Sequence, residues 1–187
     1  MTFNKLFLAI AAMVLSLAFS PSAFADATIG QPAPAFTAKT LDGKDFDVSS
    51  LKGRVAIIYI WTTWCRACQH ELPSLEAVYR QYHSQGLDVL AVSADLPSAR
   101  ADVDQVLRYF SLPATVSDAV SKNDFGKIES VPVTYIVDKS GNVVDIVSPA
   151  TGALTEAWLS ERIKALLEEK LETPKKDKEK PEGDKGE

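Results

Sequence analysis

Two cysteines occur in the 187-residue chain, and they stand together as Trp64-Cys65-Arg66-Ala67-Cys68, directly after the apolar run Val55-Ala56-Ile57-Ile58-Tyr59-Ile60-Trp61. The order of buried strand, C-x-x-C and helix points to a dithiol/disulfide centre at a strand-to-helix turn. A helix that opens at Cys65 aims its unpaired N–H groups and the positive end of its dipole at that sulfur, which favours thiolate over thiol. Cys65 is the expected nucleophile, and Cys68, one turn deeper, the expected resolving thiol.

Other uses of the pair fit less well. A zinc site needs two more ligands, and His70 and His83 form no second paired element. Covalent haem attachment needs His after the second Cys, where Gln69 stands. A bridge that closes so short a loop constrains little of the unfolded chain, so a purely stabilising role is weak. Redox chemistry remains.

The periodicity reads as alternating β and α elements. Strands are expected at 54–61 and 87–94, and helices at 67–85 and 99–110, in outline a right-handed βαβ unit. Val133–Val137 and Val143–Val147 flank the turn residues Asp138-Lys139-Ser140-Gly141-Asn142 and suit an antiparallel hairpin. A strand pair is expected from about Phe36 to Val48, a short helix over 118–125, and a closing amphipathic helix over 154–171. The fold class is α/β, a mixed central sheet flanked by helices with an N-terminal β extension.

Residues beyond the cysteines carry a resemblance. Gly30-Gln31-Pro32-Ala33-Pro34-Ala35-Phe36, the Leu41-Asp42-Gly43-Lys44 turn, Trp61-Thr62-Thr63-Trp64-Cys65, Cys68-Gln69-His70-Glu71-Leu72-Pro73 and Ser130-Val131-Pro132-Val133-Thr134-Tyr135 form one set. From Ile29 to Leu171 the chain resembles thioredoxin-fold proteins of the TlpA/ResA/DsbE branch. The resemblance implies an extracytoplasmic thiol-disulfide oxidoreductase that reduces selected secreted proteins, such as apocytochromes c or copper-site cysteines. It implies no cofactor beyond the redox-active Cys65–Cys68 disulfide, and a membrane thiol carrier as electron donor.

Within that frame several residues acquire expected roles. Glu71 shares a helix face with Cys68 and is placed to take its proton, although the spacing serves an exposed glutamate favoured by the helix dipole equally well. Similar proteins have a functional Glu at the matching position. Val131-Pro132 matches the proline that thioredoxin-like proteins hold cis beside the cysteines, where the preceding residue offers backbone groups to a bound peptide; an ordinary trans proline at a strand start is the plainer reading. Trp64 and Arg66 join this substrate-contacting set. Arg66 either steadies the Cys65 thiolate or stands solvated. Pro73 should kink the active-site helix. Tyr59 occupies the place of thioredoxin's buried aspartate, six residues before the first Cys, which closes that route for the proton.

Two alternatives belong to other classes. The Gln31-Pro32-Ala33-Pro34 opening also occurs in peroxiredoxins, whose peroxide site uses P-x-x-x-[ST]-x-x-C; Thr62 fits, but Ile58 stands where the proline belongs. A non-catalytic peptide-binding module would not need both cysteines intact.

Lys5, the apolar stretch from Leu6 to Phe19 and Ala23-Phe24-Ala25 resemble a secretory signal over residues 1–25, cleaved after Ala25. An uncleaved anchor is the alternative, although the stretch is short of the ~20 residues that span a bilayer. A periplasmic or otherwise extracytoplasmic address permits disulfides, and the absence of cysteines outside the motif reserves both thiols for chemistry. Residues 26–171 suffice for one domain. Residues 172–187 lack branched apolar and aromatic side chains and are expected to stay disordered. A net charge of −5 offers nucleic acid no basic footprint.

Overall fold

The computed structural model describes residues 26–169. Its centre is β3 (Val55–Trp61), a seven-residue strand buried along its whole length. Such a continuous β-branched and aromatic run needs cover on both faces, and it receives two different covers. Val55, Ile57, Tyr59 and Trp61 pack with both cysteines and with Leu72, Leu75, Leu159 and Ile163 of the helices. Ala56, Ile58 and Ile60 pack with Phe36, Phe46, Phe125 and Tyr135 on the other side.

The five-stranded sheet has the order β5-β4-β3-β7-β8. The strand β4 (Leu87–Ser93) runs parallel to β3 and to β5 (Ala114–Val116), whereas β7 (Val133–Val137) is antiparallel to β3 and to β8 (Val143–Val147). The parallel β3–β4 pair is joined by α1 (Arg66–Tyr82), and β4 leads to β5 through α2 (Arg100–Leu107). The last described helix is α3 (Glu156–Glu168), whose N-cap Thr155 accepts the Trp158 N–H through its side chain. Pro73 is exposed within α1, which continues past it to Tyr82.

The second cover is a small antiparallel sheet, β2-β1-β6, built from β1 (Phe36–Lys39), β2 (Asp45–Asp47) and β6 (Val120–Asn123). Its third strand corrects the sequence reading. The expected helix over 118–125 is one 3-10 turn at Ser117–Ala119 followed by β6, because β1 offers an unpaired edge. Ser121 fastens the pair, its hydroxyl lying 2.8 Å from that of Thr37. The signal segment 1–25 and the tail 172–187 lie outside the described residues, as does the end of the expected closing helix. Among the described residues no helix is long and apolar enough to cross a membrane.

Candidate redox site

Cys65 is the N-cap of α1 and is joined to Cys68 as a disulfide, with Cα atoms 5.2 Å apart. The Cys68 N–H donates to Cys65 Sγ at 3.1 Å. One orphan donor of the helix start is therefore aimed at the first sulfur, the arrangement that stabilises negative charge there once the bridge opens. Cys65 keeps 7% exposure and Cys68 none.

The turn that delivers Cys65 is held from both sides. Asp95, just past β4, accepts the Thr63 N–H and the Thr63 hydroxyl, each at 2.8 Å, and the Ser93 hydroxyl at 2.9 Å. From the helix side, Gln69 Nε2 donates to the Thr63 carbonyl at 2.7 Å. Asp95 is buried, and removal of its carboxylate leaves buried donors unpaired. Asp95→Ala is expected to lower stability by about 1.5–3 kcal/mol in chemical denaturation. It should also speed amide exchange at Thr63 and Trp64, with Asp95→Asn recovering part of the loss.

Glu71 is buried rather than displayed on the helix surface. Its Oε1 accepts the Leu154 N–H at 2.8 Å, tying α1 to the segment that enters α3. Burial raises the carboxyl above the ordinary glutamate range, while the Leu154 N–H and the Tyr59 hydroxyl pull it back down. A carboxyl raised in this way is a better base once ionised.

Val131-Pro132 is cis. Because Ile60 pairs with Val133, the dipeptide sits at the end of β3 from which the chain turns to Cys65. Val131 is half-buried and packs against the cluster that holds both cysteines. Trp64 stands 75% exposed beside them, and Arg66 is exposed at the first position of α1. The structure thus brings Cys65, Cys68 and Glu71 into one buried corner, with Trp64, Arg66 and Val131-Pro132 at its rim.

Two participants escape a reading of the sequence. Asp95 and Leu154 reach the site through the fold, from 32 residues beyond Thr63 and 83 beyond Glu71. Tyr59 had a local signal, since strand alternation puts it on the same face as Ile57 and Trp61. Among the described residues no group of His, Cys, Asp or Glu is arranged to hold a metal ion.

Known proteins share this arrangement. The AhpC/TSA family matches residues 29–146. The thiol-disulfide oxidoreductase ResA of Halalkalibacterium halodurans is 29% identical over 160 residues, 82% of this chain and 88% of its own. A thiol:disulfide interchange protein of the thioredoxin family from Chlorobium tepidum aligns with a TM-score of 0.62 at 26% identity, over 76% of this chain and 99% of that one. StoA from Bacillus subtilis aligns with a TM-score of 0.55 at 25% identity, over 70% of this chain and 96% of that one. Since the matched segment runs from before β1 into β8 and encloses both cysteines, the chain belongs to the AhpC/TSA family, within which it is a thioredoxin-like thiol-disulfide oxidoreductase.

Proposed function

We propose that the protein is an extracytoplasmic reductant of selected protein disulfides, in which Cys65 attacks, Cys68 resolves and Glu71 manages the proton. The observation that carries the order of attack is the unequal placement of the sulfurs: Cys65 has the exposure and the donated N–H, whereas Cys68 is sealed. In the reduced protein the Cys65 thiolate attacks a client disulfide, forming a mixed disulfide and releasing one client thiolate. Cys68 then gives its proton to the Glu71 carboxylate and attacks Cys65 Sγ. The second client sulfur leaves, and the Cys65–Cys68 bridge seen here forms. Two electrons pass to the client, and the dithiol is the only carrier the step needs.

The resemblance to the TlpA/ResA/DsbE branch, which implies a reductant, supports the direction. So does the fold: the described chain carries no inserted helical domain that would grip unfolded proteins broadly, so clients are few, of the kind whose cysteines must be reduced before haem or copper insertion. An oxidising exterior would exhaust a free reductant, and a membrane thiol carrier therefore resupplies the electrons.

The test is the redox state in cells. Acid quenching followed by alkylation should show the protein reduced in a strain with such a carrier and oxidised in a strain without it. The potential of the pure protein should lie nearer the reductant value of about −270 mV than the oxidant value of about −120 mV. A protein oxidised in both strains would be an oxidase.

A further inference from the structure

Between Phe125 and Pro132 the chain belongs to no strand or helix, and among the described residues none of the main-chain N–H and C=O groups from Gly126 to Val131 makes a hydrogen bond. Both ends of this strip are nonetheless fixed. Phe125 is buried, its ring meeting those of Phe36 and Tyr135 edge-on at 6.0 and 4.9 Å, and its carbonyl accepts the Ala27 N–H at 3.1 Å. Gly126 follows with φ at +104°, its Cα covered by the Asp26 carboxyl where a Cβ would collide. At the other end Pro132 is buried and leads into β7. A fixed strip of unpaired main chain is an edge on which another extended chain can pair.

A cavity of about 350 Å³ runs beside the strip. Lys127, Glu129 and Ser130 line it from the strip, and Tyr135 and Ile146 from the β7–β8 hairpin. Tyr135 is 7% exposed, and among the described residues its hydroxyl has no hydrogen-bond partner. With the ring packed against Phe125, the hydroxyl is the part left to face the cavity. Burial raises its pKa, so it stands as a neutral group that both donates and accepts. The carboxylates of Asp26 and Glu129 add acceptors to the lining, and Lys127 offsets one of their charges. Such a lining suits a neutral side chain with N–H donors, an amide above all.

We infer that Gly126–Ser130 is the docking edge for an extended segment of the client, which pairs with this main chain while its cysteine is joined to Cys65 and sends an amide side chain into the cavity to meet the Tyr135 hydroxyl. The inference rests on the reading of Cys65 as the attacking sulfur. Continuity decides what covers the strip. Val131 packs against the cluster that holds both cysteines, so a polypeptide bonded to Cys65 that runs past Val131 meets Ser130 next. The strip is roughly 17 Å long at about 3.3 Å per residue, so about five residues beside the client cysteine fill it, and a tripeptide such as glutathione does not.

The test uses the Cys68→Ser protein, which holds its partner as a mixed disulfide. It is joined either to glutathione or to a synthetic peptide with a central cysteine and about five glutamine- and alanine-rich residues on each side, long enough to follow the strip in either direction. Amides from Gly126 to Ser130 are expected to exchange hydrogen fast in the free protein and in the glutathione complex, and alternate ones to slow by roughly tenfold or more with the peptide. Unchanged exchange in the trapped peptide complex would overturn the inference. So would slow exchange in the free protein, which would mean that part of this chain already covers the strip. A second measurement addresses the cavity. Tyr135→Phe is expected to slow reduction of the glutamine peptide's disulfide by about threefold to tenfold, the loss of one hydrogen bond, and to leave oxidised glutathione and a leucine-for-glutamine peptide unaffected. Equal slowing with all three would mean that Tyr135 supports the fold only, and would overturn the inference. If Cys68→Ser forms neither mixed disulfide, Cys65 is not the attacking sulfur and the docking edge falls with it. A protein oxidised in both strains of the cellular test would remove the reductant reading and leave the docking edge standing, because the mixed disulfide forms whichever way electrons flow.

Discussion

Cys65→Ser is expected to abolish exchange, lowering the rate on the order of a thousandfold or more, because the hydroxyl that replaces the thiolate has no comparable nucleophilicity near neutral pH. Cys68→Ser should behave differently. Its Cys65 keeps the exposed edge and the N–H donated from position 68, so the first attack proceeds and the second cannot. Mixed disulfides with clients should accumulate in Cys68→Ser and be missing from Cys65→Ser, as non-reducing gels and mass spectrometry would show. Faster alkylation of Cys68 than of Cys65 in the reduced parent would reverse the assignment.

Trp61→Ala is expected to cost about 3–5 kcal/mol of stability and to lower Tm by roughly 10 °C or more. The side chain closes β3, has no exposed surface, and packs in the cluster that includes both cysteines. Truncation removes apolar burial and leaves a cavity directly behind the turn that carries Cys65. Among the described residues Trp61 Nε1 finds no hydrogen-bond partner. Trp61→Phe keeps much of the volume and deletes that unpaired donor, so its cost should be about 1 kcal/mol. Calorimetry of the two variants separates packing from polar loss.

The parts of the fold legible in the sequence are those whose signal is local. Val55–Trp61 announces itself by seven successive apolar residues, and the 3.6-residue spacing of Cys68, Leu72, Leu75 and Val78 marks the buried face of α1. The turn at Asp138–Asn142 is equally plain, since Asp138 Oδ1 accepts the N–H groups of both Ser140 and Asn142. What failed was non-local. The strands β5 and β6, of three and four residues, hold no period long enough to read, and each exists because an existing edge accepts it. The site divides in the same way. The cysteines, Trp64 and Arg66 could be singled out from motif and spacing, Glu71 and Val131-Pro132 only with the resemblance to the family. The burial of Glu71 could not, because it depends on a main-chain N–H contributed by Leu154 from the far end of the domain. A glutamate in the first turns of a helix looks solvent-facing until the element packed over it is known.

The sealing of Cys68 beneath Cys65 also governs how long an intermediate lives. A client joined to Cys65 faces two competitors for its release: free thiols from solution, and a sulfur one helical turn away on the same rigid helix. The second reaction is unimolecular, and for well-aligned groups the equivalent concentration reaches about 10⁵ M or more, beyond any dissolved thiol. Solution thiols can approach the Cys65 edge only, so they have no route to cap Cys68 first. The covalent complex is therefore brief by construction, and turnover is paced by how often a client disulfide meets that single narrow edge.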